Sequence, residues 1–144
     1  MKYVQLFLAA LTLVLSATKV TAQQKVSASV TGFENEKGVC RACLYDNAKA
    51  FNGKGEPVQC VEALIQNKTA LVIFNDVKKG NYAISLFHDA NNNKKFDLNF
   101  LGIPKEGYGA SRNKLPFAAA PSFNDNKFEV NNSAVLLSIK LRYL

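Results

Sequence analysis

Asp89, Asn91, Asn93 and Asp97 stand at alternate or near-alternate positions, a spacing that lets a short chain point several oxygen atoms at one hard cation. With the carbonyl of Lys95 they fill the first nine places of an EF-hand loop. The pattern then departs from that motif. Lys94 occupies the sixth place, where glycine makes the sharp turn, and Phe100 the twelfth, where a bidentate glutamate belongs. Two readings follow: a calcium ion held by two carboxylates and weakened by Lys94 and Lys95, or a run of Asx-turns in which Asp and Asn bond their own backbone. His88 is the single histidine, which excludes a histidine-based metal cluster within one chain. His88, Asp89 and Ser111 supply the residue types of a hydrolase triad, but no G-x-S-x-G elbow accompanies them. Adjacent residues on a strand also diverge, so His88 reads as a strand-end side chain that anchors the loop through a hydrogen bond. Glu106 reads as a further ligand or as a partner for Arg112.

The elements that must hold these residues are strands. Gly102, Pro104, Gly107 and Gly109 forbid a regular element, so His88, Phe100, Pro104, Glu106, Tyr108 and Ser111 are expected on the surface of a shaped binding loop. That loop runs from 89 to about 126, and its Phe96, Phe100, Leu101, Ile103, Leu115, Phe117 and Phe123 predict that it is ordered by its own apolar contacts. Upstream, residues 26–31 and 39–45 alternate with the period of half-buried strands, and residues 58–65 are read as a further strand, although they would also suit two turns of helix. Residues 69–74 are β-branched and aromatic, residues 82–87 are their expected hairpin partner, and 127–130 and 134–143 complete the set. About seven strands and no convincing helix predict an all-β, antiparallel β-sandwich of the immunoglobulin-like or prealbumin-like kind, with one long ordered loop.

The start of the chain sets the compartment. Lys2, an apolar run from Val4 to Leu15, and small residues up to Ala22 read as a signal peptide over residues 1–22, leaving one domain over 23–144. The run of about a dozen residues is short of the roughly 20 that span a bilayer, so contact with a membrane is expected through the leader alone, before cleavage. The exported chain, periplasmic or secreted, keeps sixteen basic and eleven acidic residues. Its basic residues are dispersed and not interleaved with aromatics, which argues against nucleic acid. An envelope protein or an anionic surface polymer suits that charge better.

In an oxidising compartment two of Cys40, Cys43 and Cys60 should pair. On a strand Cys40 and Cys43 point to opposite faces and cannot join, so Cys60 must be one partner. Cys43 with Cys60 is the expected bridge, Cys40 with Cys60 the alternative. A single C-x-x-C without a second cluster is too little for zinc.

The pattern G-x-Y-A…H-D-x-N-x-N-x-K-x-D-x-N-F-x-G-x-P-x-E-G-x-G-x-S, from Gly80 to Ser111 and extended by Pro121, Phe123 and Phe128, closely resembles the bacterial exported family called domain of unknown function 2141. The resemblance implies a single exported β-sandwich similar to prealbumin-like domains, and no established activity. Members of the family usually carry glycine where this chain has Lys94. Residues and resemblance together point to a non-enzymatic exported module whose loop is a binding or structural surface, with calcium as its one candidate cofactor. The alternatives are a small extracytoplasmic hydrolase or carbohydrate-acting domain using His88 and the loop carboxylates, and a structural subunit of an envelope assembly.

Overall fold

The computed structural model describes residues 23–144, so the expected leader and its cleavage point lie outside the described residues. Eight strands are present among them: β1 (Gln24–Thr31), β2 (Val39–Tyr45), β3 (Gln59–Ala63), β4 (Thr69–Val77), β5 (Gly80–Asp89), β6 (Tyr108–Ala110), β7 (Phe128–Val130) and β8 (Val135–Lys140). They form a three-stranded sheet in the order β4-β1-β8 and a five-stranded sheet in the order β3-β2-β5-β6, with β7 also pairing β5. Alternation decides what each strand buries. Val26, Ala28 and Val30 of β1, Val72 and Phe74 of β4, and Ile139 of β8 meet Cys40, Ala42 and Leu44 of β2 and Ile84 and Leu86 of β5 in one core. The all-β sandwich expected from the sequence is the observed architecture.

Several details differ from expectation. β4 and β5 do not form a hairpin: β4 pairs β1, β5 pairs β2, and the turn at Lys78 and Lys79 carries the chain from one sheet to the other. The pairing is not antiparallel throughout, because β8 lies parallel to β1, Val26 opposite Val135 and Thr31 opposite Lys140. Residues 58–65 do hold the expected strand, over Gln59–Ala63. Two single-turn helices occur where none was expected, α1 (Ala48–Phe51) and α2 (Phe123–Asn126). Each has a local cause: the side chains of Asn47 and Ser122 cap the helices by accepting from the amides of Ala50 and Asp125.

The long loop is also more regular than expected. β6 lies inside it, pairing Ser85, Leu86 and Phe87 of β5, and β7 pairs Gly80, Asn81 and Tyr82 further along the same strand. Between them Ser111 closes the gap. Its amide donates to the carbonyl of Ile84 at 3.1 Å, and its hydroxyl accepts from the Ile84 amide at 3.0 Å and donates to the carbonyl of Asn126 at 2.5 Å. Asn126, fully buried, accepts from the amides of Arg112 and Lys114 and donates to the carbonyls of Lys114 and Ser122. The excursion from 112 to 125 is therefore tied off at its neck by two side chains.

Past β8 the chain crosses to the other sheet. Tyr108 and Arg142 exchange backbone hydrogen bonds of 3.0 and 2.9 Å, which brings Tyr143 over Gly107. A Cβ on Gly107 would stand 2.3 Å from the Tyr143 ring, so no other residue fits there without displacing it.

Candidate functional site

The segment that begins at Asp89 is pinned from below. Asp89 ends β5 with its carboxylate fully buried: one oxygen accepts from the guanidinium of Arg41 on β2 and from the amide of Lys94 at 3.0 Å, the other from the amide of Asn93 at 3.1 Å. Arg41 also grips Glu62 of β3. Burial alone would raise the Asp89 pKa, but the hydrogen bond from Arg41 and the two amides outweigh it and hold the carboxyl below its ordinary value. The same bond to Asp89 raises the pKa of Arg41.

The oxygens do not converge as the spacing suggested. Asp89 faces Arg41, while Asn91 and Asn93 turn their amide nitrogens onto the carboxylate of Asp97, at 2.8 to 3.0 Å. Those bonds lower the pKa of Asp97. The Asn91 and Asn93 side-chain oxygens accept from the amides of Asn93 and Lys95, so successive Asx-turns shape the loop. Among the described residues no group of three or more His, Cys, Asp or Glu is arranged to hold a metal ion. Lys94 sits at φ +65°, the left-handed conformation in which glycine is at ease. Glu106 does not pair with Arg112. It is buried, one oxygen accepting from the amide of Asp97 at 3.0 Å and the other meeting no hydrogen-bond donor.

His88 is an anchor. It is 2% exposed, and Nε2 lies 2.7 Å from the carbonyl of Lys37 and Nδ1 2.8 Å from the hydroxyl of Tyr143. Since a carbonyl only accepts, Nε2 carries the proton and Nδ1 accepts from Tyr143, whose oxygen in turn accepts from the amide of Glu34 at 3.2 Å. Both ring nitrogens are thus occupied, Ser111 is bound elsewhere, and Asp89 belongs to Arg41, so the three triad residue types do not meet. Gly38, at φ +67°, lets the chain pass over the end of β5, where a Cβ would fall 1.8 Å from the carbonyl of Asp89.

The pinned segment folds over the outer face of the five-stranded sheet and borders a half-open cavity of about 640 Å³. Its floor is the outward row of that sheet: Arg41, Cys43 and Tyr45 of β2, Ser85 and Phe87 of β5, and Tyr108 of β6. Phe96 docks its ring 5.4 Å from Phe87 and 5.9 Å from Tyr108. Leu98, Ile103 and Pro104 form one wall, and Phe117 to Pro121 with Leu144 the other. Cys43 and Cys60 form the expected disulfide across β2 and β3, at directly paired positions, and Cys40 is buried and free. The expectation that the loop is held by its own apolar residues holds for Phe123, which is buried, but not for Phe100, Leu101 and Phe117, which point to solvent.

Sequence reasoning missed Arg41, Tyr143 and Asn126. Arg41 and Tyr143 meet Asp89 and His88 48 and 55 residues away, and Asn126, beyond the Ser122 carbonyl four residues back, ties to residues 12 to 15 away, separations that no local spacing signals.

Fold and site define a small β-sandwich with a half-open, largely apolar cavity on its outer face. The chain matches the family model described as an uncharacterized protein conserved in bacteria (DUF2141) over residues 28–137, and it belongs to that family. No curated protein and no solved structure matches it.

Proposed function

We propose that this protein is an exported, non-enzymatic binding module that takes an apolar small molecule into the cavity between the 96–121 segment and the outer face of the five-stranded sheet. The cavity itself carries the reading: at about 640 Å³ it falls in the roughly 300–1,000 Å³ range of small-molecule sites. Its aromatic floor and few polar groups suit an apolar, partly flat ligand. Arg41, the one cation in the floor, already serves Asp89 and Glu62, so an anionic group is not what the floor selects. The disulfide, favoured in oxidising compartments, supports export.

The test is titration of residues 23–144 with an environment-sensitive apolar fluorophore. Saturable enhancement is expected, and Ser85→Phe, which fills the floor, should abolish it while the melting temperature stays near that of the parent. Enhancement that survives Ser85→Phe would place the probe elsewhere and remove the reading. A stabilising calcium ion joins this reading if Asp89 exchanges Arg41 for the ion. A melting temperature that climbs with millimolar calcium, and ceases to climb in Asp97→Ala, is the result that would establish it.

A further inference from the structure

We propose that the finger formed by residues 97–105 inserts its tip into an anionic phospholipid surface. The finger is a closed miniature hairpin: Leu98 bridges Pro104, the amide of Lys105 donates to the carbonyl of Asp97 at 2.9 Å, and the amide of Asn99 donates to the carbonyl of Ile103 at 2.8 Å. At the tip the Asn99 side chain accepts from the amides of Leu101 at 2.8 Å and Ile103 at 3.0 Å, and the Asn99 carbonyl accepts from Gly102 at 3.0 Å. Gly102 supplies the φ of +77° that the turn requires.

This shape holds apolar side chains out into water. Phe100 is 95% exposed and Leu101 67%, with Leu98 and Ile103 exposed behind them, and Phe117 stands 87% exposed on the opposite wall of the cavity. A soluble fold gains nothing from presenting such side chains on a rigid turn, so they call for a partner.

Two observations say that the partner is a lipid surface. The amides of Asn99, Leu101, Gly102, Ile103 and Lys105 all donate within the finger, so five of its backbone donors carry their partners with them into a water-poor layer, and the remaining polar groups of the tip stay at headgroup depth. Lys94, Lys95 and Lys105 are exposed around its base, where they outnumber the part-exposed carboxylate of Asp97 while Glu106 is buried, and the exported chain is basic overall. An apolar tip with a lysine collar matches the acyl boundary and the anionic headgroups of one leaflet. The inference extends membrane contact beyond the expected leader, and it does not depend on what the cavity holds.

The experiment is cosedimentation of residues 23–144 with vesicles of phosphatidylcholine alone or mixed with phosphatidylglycerol. Binding is expected to the mixed vesicles, weakening as salt rises. Phe100→Ser combined with Leu101→Ser should lower the affinity at least about tenfold, as should Lys94→Gln, Lys95→Gln and Lys105→Gln together. Both variants should keep the parent's melting temperature and cavity-probe binding, because none of these side chains is in the core or the cavity floor. Absence of binding to the mixed vesicles at low salt, or equal binding by the Phe100/Leu101 variant, overturns the proposal. Finger-dependent self-association without vesicle binding also overturns it, in favour of a second copy as the partner.

Discussion

Arg41 and Asp89 hold the base of the functional segment from adjacent strands at one end of the β2–β5 pair, and removing one of them leaves the other uncompensated. Asp89→Ala is expected to lower stability by about 3 kcal/mol, the usual result of breaking a buried pair, measured by denaturant unfolding. The pH dependence follows from the same bonds. The folded Asp89 carboxyl titrates below its ordinary value of 3.8, so its stabilisation is complete above that value and is lost as pH falls through the lower folded one. Acid unfolding followed by circular dichroism should therefore begin at higher pH in Asp89→Asn than it does through this group in the parent. Lys94→Gly removes the side chain from a left-handed position and should raise stability by about 0.5 kcal/mol, the relief of strain exceeding the entropy that glycine adds to the unfolded chain. That residues 89–97 form a shaped loop was legible from their Asp and Asn spacing. What the Asp89 oxygens bond to was not, because the decisive donor, Arg41, is 48 residues distant and reaches Asp89 only through the β2–β5 register.

At the scale of the elements, period-two alternation named most strands and their buried faces, yet it could not say which sheet each strand joins. β4 and β5 are adjacent in sequence and both apolar toward the core, and either a hairpin or a crossing between sheets satisfies that pattern. β6 escaped notice for another reason: it is three residues long, next to a glycine, and owes its existence to the free edge of β5. The cysteines were legible because strand geometry excludes a Cys40–Cys43 bridge. Two outcomes follow from their observed state. Replacing Cys43 and Cys60 by serine should cost about 3 kcal/mol on the chain-entropy view of a loop of this size, checked by thermal unfolding. Cys40 is fully buried and its thiol is pushed up to about 12 by desolvation, so it should resist maleimide in the native protein and react promptly once the chain is unfolded.

The whole molecule divides its labour between a framework of two sheets and the 90–127 excursion mounted on one of them. The cavity arises from both, since the sheet gives the floor and the excursion gives the walls. Sequence alone showed that such a loop must be ordered, but not that it folds back to wall a half-open cavity, because that depends on the neck tied by Ser111 and Asn126. Deleting residues 133–144 should abolish the cooperative unfolding transition, because β1 then lacks its partner along one edge and the core loses Ile139 and Leu141. The parallel pairing of β1 with β8 also sets the order of events in time. β1 is the central strand of its sheet, yet one of its two neighbours, β8, is the strand farthest from it in sequence among the described residues. Contacts of such wide sequence separation close slowly and late. A chain whose residues 135–140 are not yet available therefore cannot complete its core, whatever its earlier strands have already formed.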